Sequence, residues 1–354
     1  MSNPFTPEAL VAYLAKVHDA AVAEVRVTPL GGGRQGDKGY GYGVPLRVDY
    51  RLAGAPRRAV VETVRAGPFG HEHMSDRAQS LLWAHDAFGR LPRHVASLDV
   101  GAVRSSGALV PLGNAEELFM LAEFVDGHEY ADDLLRLRGG AALAPLDLQR
   151  ADALCDYLVE IHRVAGPDPG LYVRRVRELV GHGECIFGVS DSYPESHGLM
   201  EIEKKCVEWR WKLKTRTHRL RQVHGDFHPW NIMFRDRADF SVLDRSRGEW
   251  GEPADDVTCL ALNYLFFSLQ RSGRLEGAFE RLWSRFWERY LERSGDRELL
   301  EVAAPFLAFR GLVMANPLWY PALDPAIRAR MLRFVRRVLD EERLDPARAN
   351  EYCA

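Results

Sequence analysis

The sequence predicts an α+β protein in two lobes, a small β-rich lobe over residues 1–125 and a larger, mainly helical lobe over 126–354. Two patterns carry this reading. Val44, Leu46, Val48, Tyr50 and Leu52 alternate strictly with other residues, which is the period of a half-buried strand. Further along, Leu148, Ala151, Leu154, Leu158 and Ile161 recur at helical spacing, and comparable apolar series fill most of the chain behind them.

Taken in order, residues 6–23 predict an amphipathic helix with Leu10, Val11, Leu14 and Val17 on one side. A glycine-dense segment from Gly31 to Gly43 leads into the strand at 44–52. Ala53-Gly54-Ala55-Pro56 then reads as a turn and Ala59–Val64 as a return strand. Residues 72–89 predict a helix with Leu81, Leu82, Ala84, His85 and Phe88 toward the core, and a strand pair fits Ala96–Arg104 with Leu118–Val125. In the second lobe helices are expected over 147–164, 256–293, 300–314 and 326–341. A short strand-loop-strand passage from Gln222 to Asp244 interrupts them.

Composition bounds the function. A chain of 354 residues can bury a sizeable core. Its net charge of −3 gives no drive toward nucleic acid or an anionic membrane surface. No stretch approaches the roughly 18 apolar residues of a membrane helix, and Met1–Lys16, with Pro4, Pro7 and Glu8, lacks a signal-peptide core. Five cysteines, with no CxxC pair, argue against a disulfide framework and suit a reducing cytoplasm. His71, His73, His182 and Cys185 match no zinc spacing. Lysine occurs only at 16, 38, 204, 205, 212 and 214, an arginine bias of the kind a GC-rich bacterial genome produces.

The decisive segment is His224-Gly225-Asp226-Phe227-His228-Pro229-Trp230-Asn231, followed by Ile232-Met233-Phe234 and then Val242-Leu243-Asp244. It has the form H-x-D-x-x-x-x-N, then an apolar strand, then a second Asp. Phosphoryl transfer needs a carboxylate to orient a hydroxyl and accept its proton, and oxygen ligands for Mg2+ against the phosphates. A loop can hold the first carboxylate beside an Asn, and a hairpin can bring the second carboxylate opposite. Asp226 suits the base, with Asn231 and Asp244 as metal ligands. One such residue alone would be a turn or cap; this spacing of all three is specific.

This passage resembles the catalytic loop of the aminoglycoside phosphotransferase and choline kinase family, a branch of the protein-kinase-like fold. Leu243-Asp244 and Gly251-Glu252-Pro253-Ala254-Asp255-Asp256-Val257 resemble the metal-binding Asp and the G-[DE]-P-A-x-D-[LV] element of that family. The resemblance implies that Asp256 braces the catalytic loop from a helix start. It also implies a bilobal protein-kinase-like fold that binds ATP and Mg2+ and phosphorylates a small-molecule acceptor. A protein kinase, a nucleotide-sensing pseudokinase and a partner-binding module are the alternatives.

Gly31-Gly32-Gly33-Arg34-Gln35-Gly36 satisfies G-x-G-x-x-G, but it runs toward a strand rather than a helix. A flap covering phosphates with the backbone amides of Gly31, Gly32, Gly33 and Gly36 fits better than a dinucleotide fingerprint. Leu121-Ala122-Glu123-Phe124-Val125-Asp126-Gly127 resembles the family's hinge, which implies that Glu123, Phe124 and Val125 meet the adenine edge. The return strand departs from the family: Glu62 stands where a Lys or Arg usually pairs with phosphate. Arg65 or Arg58 could take that role, Lys38 could reach in from the flap, or ATP binding is lost. His224 reads as a structural brace and His162 as a helix-capping residue. Arg245, with Arg247, Glu249 and Trp250, is expected on the acceptor side, where basic and aromatic residues suit a phosphorylated, acidic or aromatic acceptor.

Overall fold

The computed structural model describes residues 3–30, 43–181, 183–194 and 197–354. The expected phosphate flap, with Gly31, Gly32, Gly33, Gly36 and Lys38, lies outside the described residues. The chain divides into two compact units, Met1–Ala122 and Glu123–Ala354.

In the first unit α1 (Pro7–His18) opens on Thr6, whose hydroxyl accepts the Ala9 amide, with Pro7 at the first helical position. It ends five residues earlier than the periodicity suggests because Asp19 turns left-handed at φ 47°. Leu10 and Leu14 pack with Val48 and Tyr50 of an antiparallel sheet ordered β1-β2-β3 (Val22–Pro29, Leu46–Leu52, Ala55–Val61). The alternation read in the sequence thus selects the buried face of β2. Leu52 pairs with Ala55 across Ala53 and Gly54, both at positive φ, so the hairpin turns on two residues. The return strand therefore starts at Ala55 and stops at Val61, leaving Glu62 exposed beyond its end.

After α2 (Met74–Phe88) the expected pairing of 96–104 with 118–125 is replaced by a local one. β4 (Gly101–Val103) pairs with β5 (Leu109–Pro111). Arg104 and Ala108 close the hairpin, with Gly107 at φ 84°. A tight turn brings these strands together at lower loop-closure cost than a longer connection. Residues 118–125 form no strand, and Phe124 is 88% exposed.

The second unit begins with β6 (His128–Glu129), α3 (Tyr130–Arg138) and α4 (Pro145–Ile161). The basic and aromatic passage behind them is helical: α5 (Pro169–Val180), α6 (Ile186–Ser190) and α7 (Met200–Leu213). Then come β7 (Arg221–Gln222), β8 (Ile232–Phe234), β9 (Phe240–Val242) and β10 (Trp250–Gly251). β8 is central in an antiparallel sheet ordered β6-β8-β9, and β10 pairs with β7. The expected helix at 256–293 is two, α8 (Pro253–Ser272) and α9 (Gly277–Ser294). Gly273 caps the first at φ 77°, a conformation that costs glycine least. α10 (Leu299–Val302), α11 (Ala304–Met314), α12 (Pro325–Asp340) and α13 (Ala349–Cys353) complete the unit.

α8 is buried on all sides from Pro253 to Leu269, so it is the axis around which the other helices pack. Its first turn consequently places Asp255 and Asp256 inside the protein. Among the described residues no helix is long and apolar enough to cross a membrane.

Candidate active site

Two polypeptide turns converge on the start of α8. The chain leaving β7 is held by Asp256, whose carboxylate accepts the amides of His224 at 2.8 Å and Gly225 at 2.7 Å. His162, at the C-terminal end of α4, adds Nε2 at 3.1 Å, while its Nδ1 meets the Tyr290 hydroxyl at 2.7 Å. Asp256 is fully buried, yet it is satisfied by these donors and by its place at the positive end of a helix. Gly225 sits at φ 88°, and a Cβ there would come within 3.2 Å of Arg247 and 3.3 Å of Arg175. A side chain at this bend would be strained and crowded at once.

The loop presents Asp226 with its two oxygens in different surroundings. Oδ1 accepts Nη1 of Arg310 at 2.5 Å, with Nε of Arg247 3.8 Å away. Oδ2 lies 3.6 Å from Nε2 of His228. Burial pushes the Asp226 carboxyl up, but the charges of Arg310 and Arg247 outweigh it and hold the group below its ordinary range. The second nitrogen of the Arg310 fork donates to the Gly225 carbonyl at 2.8 Å and to Asp255 Oδ1 at 2.9 Å. Asp255 in turn accepts Arg175 at 2.9 Å. A planar guanidinium thus locks the loop backbone, its carboxylate and the helix start in one arrangement.

His228 caps the short turn Pro229–Asn231, its Nδ1 accepting the Trp230 amide at 3.2 Å. Burial, Arg310 and His224 push its pKa down against the pull of Asp226 and Asp244. Asn231 donates Nδ2 to the Asp226 carbonyl at 3.0 Å, which leaves its amide oxygen as an unspent acceptor. The β8–β9 hairpin pairs Ile232 with Val242, and the Leu243 amide reaches the Asn231 carbonyl at 2.8 Å. Asp244 follows immediately, exposed and left-handed at φ 53°, a conformation Asp tolerates better than most residues. The donor set that Asn231 and Asp244 offer, an amide oxygen and a carboxylate, fits a hard cation that keeps waters and phosphate oxygens as its other ligands. Among the described residues no group of three or more His, Cys, Asp or Glu forms a complete protein cage for a metal.

Several expected roles change. Arg245 is turned back on the backbone, donating to the Val223 carbonyl at 2.8 and 3.0 Å, so it ties the strand exit rather than reaching outward. Arg247 is the residue beside Asp226, held by Glu184 at 2.8 Å. His224 is 2% exposed and braces the loop, but its Nε2 has no hydrogen-bond partner among the described residues. A cavity of about 250 Å3 opens beside Asp244, between Tyr157 and Ile161 of α4 and the two strand exits. Arg65 and Glu123 are exposed, each in its own unit.

Sequence reading missed Arg310, Asp255 and Arg175. Arg310 carried a usable signal, because it is the only charge in Ala304–Met314, an otherwise apolar helix. A lone charge at a buried helical position requires a partner.

The chain matches the model of a family described as the phosphotransferase enzyme family over residues 47–293, a span that includes this whole loop and the start of α8. No curated protein matches it in sequence. An amicoumacin kinase solved with AMP-PNP, Ca2+ and Ami is similar at 14% identity, over 98% of this chain and 97% of its own, with a TM-score of 0.42. Choline kinase LicA from Streptococcus pneumoniae is similar at 12% identity, over 94% and 98%, with a TM-score of 0.33. Macrolide 2'-phosphotransferase MphH from Brachybacterium faecium is similar at 13%, over 92% and 97%, with a TM-score of 0.32. At such TM-scores the family assignment rests on the sequence match.

Proposed function

The chain belongs to the phosphotransferase enzyme family, and from that premise we propose that it transfers the γ-phosphoryl group of ATP, with Mg2+, to a hydroxyl of a small molecule. The observation that carries this reading is the fixed placement of Asp226. Its loop is braced through Asp256, its Oδ1 is held by Arg310, and Asn231 and Asp244 adjoin it on the same strand exit and hairpin.

Asp226 holds the acceptor hydroxyl and takes its proton as the oxygen attacks. The new P–O bond forms as the β–γ bridging bond breaks, and the electron pair leaves on the nucleoside diphosphate. Asn231 and Asp244 would hold Mg2+, which when bound neutralises charge on the phosphate oxygens. The described residues do little covalent chemistry; they orient a hydroxyl and accept one proton. The charge balance around Asp226, an acid between cations, keeps it ionised and able to accept.

Incubating the protein with γ-labelled ATP, Mg2+ and a metabolite panel, then identifying the labelled product, tests this directly. Asp226→Asn should bind ATP nearly as well as the wild type and lose turnover by orders of magnitude. Unchanged turnover in that variant removes Asp226 from the mechanism. Equal ATP affinity with and without Mg2+, and no product, would favour a nucleotide-sensing pseudokinase.

A further inference from the structure

Arg310 occupies Oδ1 of Asp226, so the oxygen left to receive a hydroxyl is Oδ2, and the group facing Oδ2 is His228. The protonation of that imidazole can be assigned from one contact. The Trp230 backbone amide can only donate, and it points at Nδ1 from 3.2 Å. Nδ1 must therefore be the bare nitrogen, which makes the ring neutral and puts its single proton on Nε2. That proton-bearing atom stands 3.6 Å from Oδ2. The separation is too long for a direct hydrogen bond. It is the right size for an oxygen atom about 2.8 Å from both groups, at the apex of a triangle. Both side chains keep an open side, 30% exposed for His228 and 14% for Asp226.

We propose that His228 is a second acceptor-binding group of the phosphotransfer site, its Nε2–H donating to the acceptor's hydroxyl oxygen while that hydroxyl donates to Asp226 Oδ2. The proposal rests on the phosphotransfer reading above. A hydroxyl oxygen has two lone pairs. One accepts from His228, and the other is thereby aimed away from the loop, toward phosphorus. During transfer the hydroxyl proton passes to Oδ2, the free lone pair forms the P–O bond, and the β–γ bridging bond breaks with its electrons on the diphosphate. His228 keeps its proton throughout. A neutral donor orients the nucleophile while withdrawing less electron density than a cation would. The acceptor class implied is an alcohol, or water itself, that approaches along the His228 side of Asp226.

The two nitrogens of His228 can be tested apart. Asn at this position places an amide oxygen near Nδ1 and keeps the Trp230 bond, but has nothing at Nε2. Gln places an N–H near Nε2 and gives up the Trp230 bond. The probe is Mg-ATP with water as acceptor, read as phosphate release, together with ATP binding and thermal unfolding of each variant. His228→Asn should bind ATP like the wild type and turn over at least about tenfold more slowly, the scale of one hydrogen bond made in the transition state. His228→Gln should keep more turnover than His228→Asn, even if it unfolds at a lower temperature. The reverse order, or equal turnover in both variants whether high or low, overturns the proposal and leaves His228 a loop-packing residue. No phosphate release to water and no phosphorylated product from any acceptor of the panel, with the wild type, overturns the phosphotransfer reading itself and this proposal with it.

Discussion

Arg310 and Asp226 are 84 positions apart in the chain and 2.5 Å apart in the fold, and the same guanidinium also holds Gly225 and Asp255. The pair is buried, which gives it consequences that a surface pair would not have.

Replacing Arg310 by Met would leave two carboxylates without their shared partner inside the protein. A loss of roughly 3–5 kcal/mol is expected from breaking one side of a buried ion pair, measured by denaturant unfolding. Arg310→Lys keeps the charge but not the fork, so it cannot serve Asp226, Gly225 and Asp255 together. That variant should fold, bind ATP like the wild type and turn over at least about tenfold more slowly. Full turnover in Arg310→Lys would show that charge alone suffices and that the fork does not position Asp226.

The start of α8 is tied a second time. Glu252, fully buried, accepts Arg219 at 2.6 and 2.8 Å and the Tyr172 hydroxyl at 2.8 Å, while Arg219 reaches Asp296 at 2.8 Å. Arg219→Met should therefore destabilise the second unit by about 3–5 kcal/mol and lower turnover only through the folded fraction. A specific activity per folded molecule that also collapses would mean that this cluster positions the loop.

Stability should depend on pH through Glu298, which lies 2.6 Å from Arg216 and 2.9 Å from His218. Burial pushes its carboxyl up, but the hydrogen bonds of His218 and Arg216 and the charge of Arg219 hold it down to about 2. A carboxyl depressed on folding stabilises the protein above its unfolded value, near 4.3, and that contribution is lost as pH falls through the folded value. The stability gap between the wild type and Glu298→Gln should be full at pH 5–6 and close between about pH 4.5 and 2. Chemical denaturation across that range measures it. A gap still full at pH 2 rules the ion-pair cluster out as its source.

The contrast between these residues explains what could be read from the chain. His224 to Asn231 and Leu243-Asp244 act within one loop and one hairpin, so their spacing alone carries the geometry, and Asp256 followed from a motif at a helix start. Arg310 belongs to the same site but meets it only through the packing of α11 on α8, and no local pattern encodes a contact across 84 positions. Secondary structure failed for the same reason in the other direction. Residues 118–125 have strand composition, but Leu109–Pro111 lies nearer to Gly101–Val103 and closes a tight hairpin first. Helix α5 was hidden by the density of Arg in Leu171–Arg177, although Tyr172, Val176, Leu179 and Val180 are its buried face. Gly273, by its left-handed φ, divided what apolar content alone joined.

Asp244 is the cheapest place to test the metal reading, because it is exposed and makes no hydrogen bond that the fold depends on among the described residues. Asp244→Gly, which removes the carboxylate and takes the left-handed φ of 53° without strain, should leave thermal stability within about 0.5 kcal/mol, as for an exposed substitution, and abolish the Mg2+ dependence of ATP binding. Asn231→Ala is the contrasting case. It removes the Nδ2 bond to the Asp226 carbonyl as well as the proposed oxygen ligand, so stability and metal dependence should fall together. Titration calorimetry with ATP, with and without Mg2+, separates the two. Undiminished Mg2+ dependence in Asp244→Gly would move the metal site away from the hairpin.

The triphosphate also needs positive charge from the protein, and Glu62, exposed beyond the end of β3, cannot supply it. Arg58, four residues before it, is paired with Asp49 at 3.3 Å, which leaves two of the cations that the sequence offers. Arg65 is exposed and makes no ion pair among the described residues, so its guanidinium is free to take a phosphate. Lys38 is the only lysine between positions 17 and 203. A charge-assisted contact to phosphate contributes about 1.5–3 kcal/mol. Arg65→Ala or Lys38→Ala should therefore weaken ATP binding at least about tenfold, equivalent to roughly 1.4 kcal/mol, with the stability of the protein unchanged. Whichever variant shows the loss identifies the phosphate partner, and Glu62→Lys in that background should recover part of it by restoring a cation to the return strand. Unaltered affinity in both alanine variants would place the phosphate site elsewhere than in the first unit. It would then have to be sought among the arginines around Asp226.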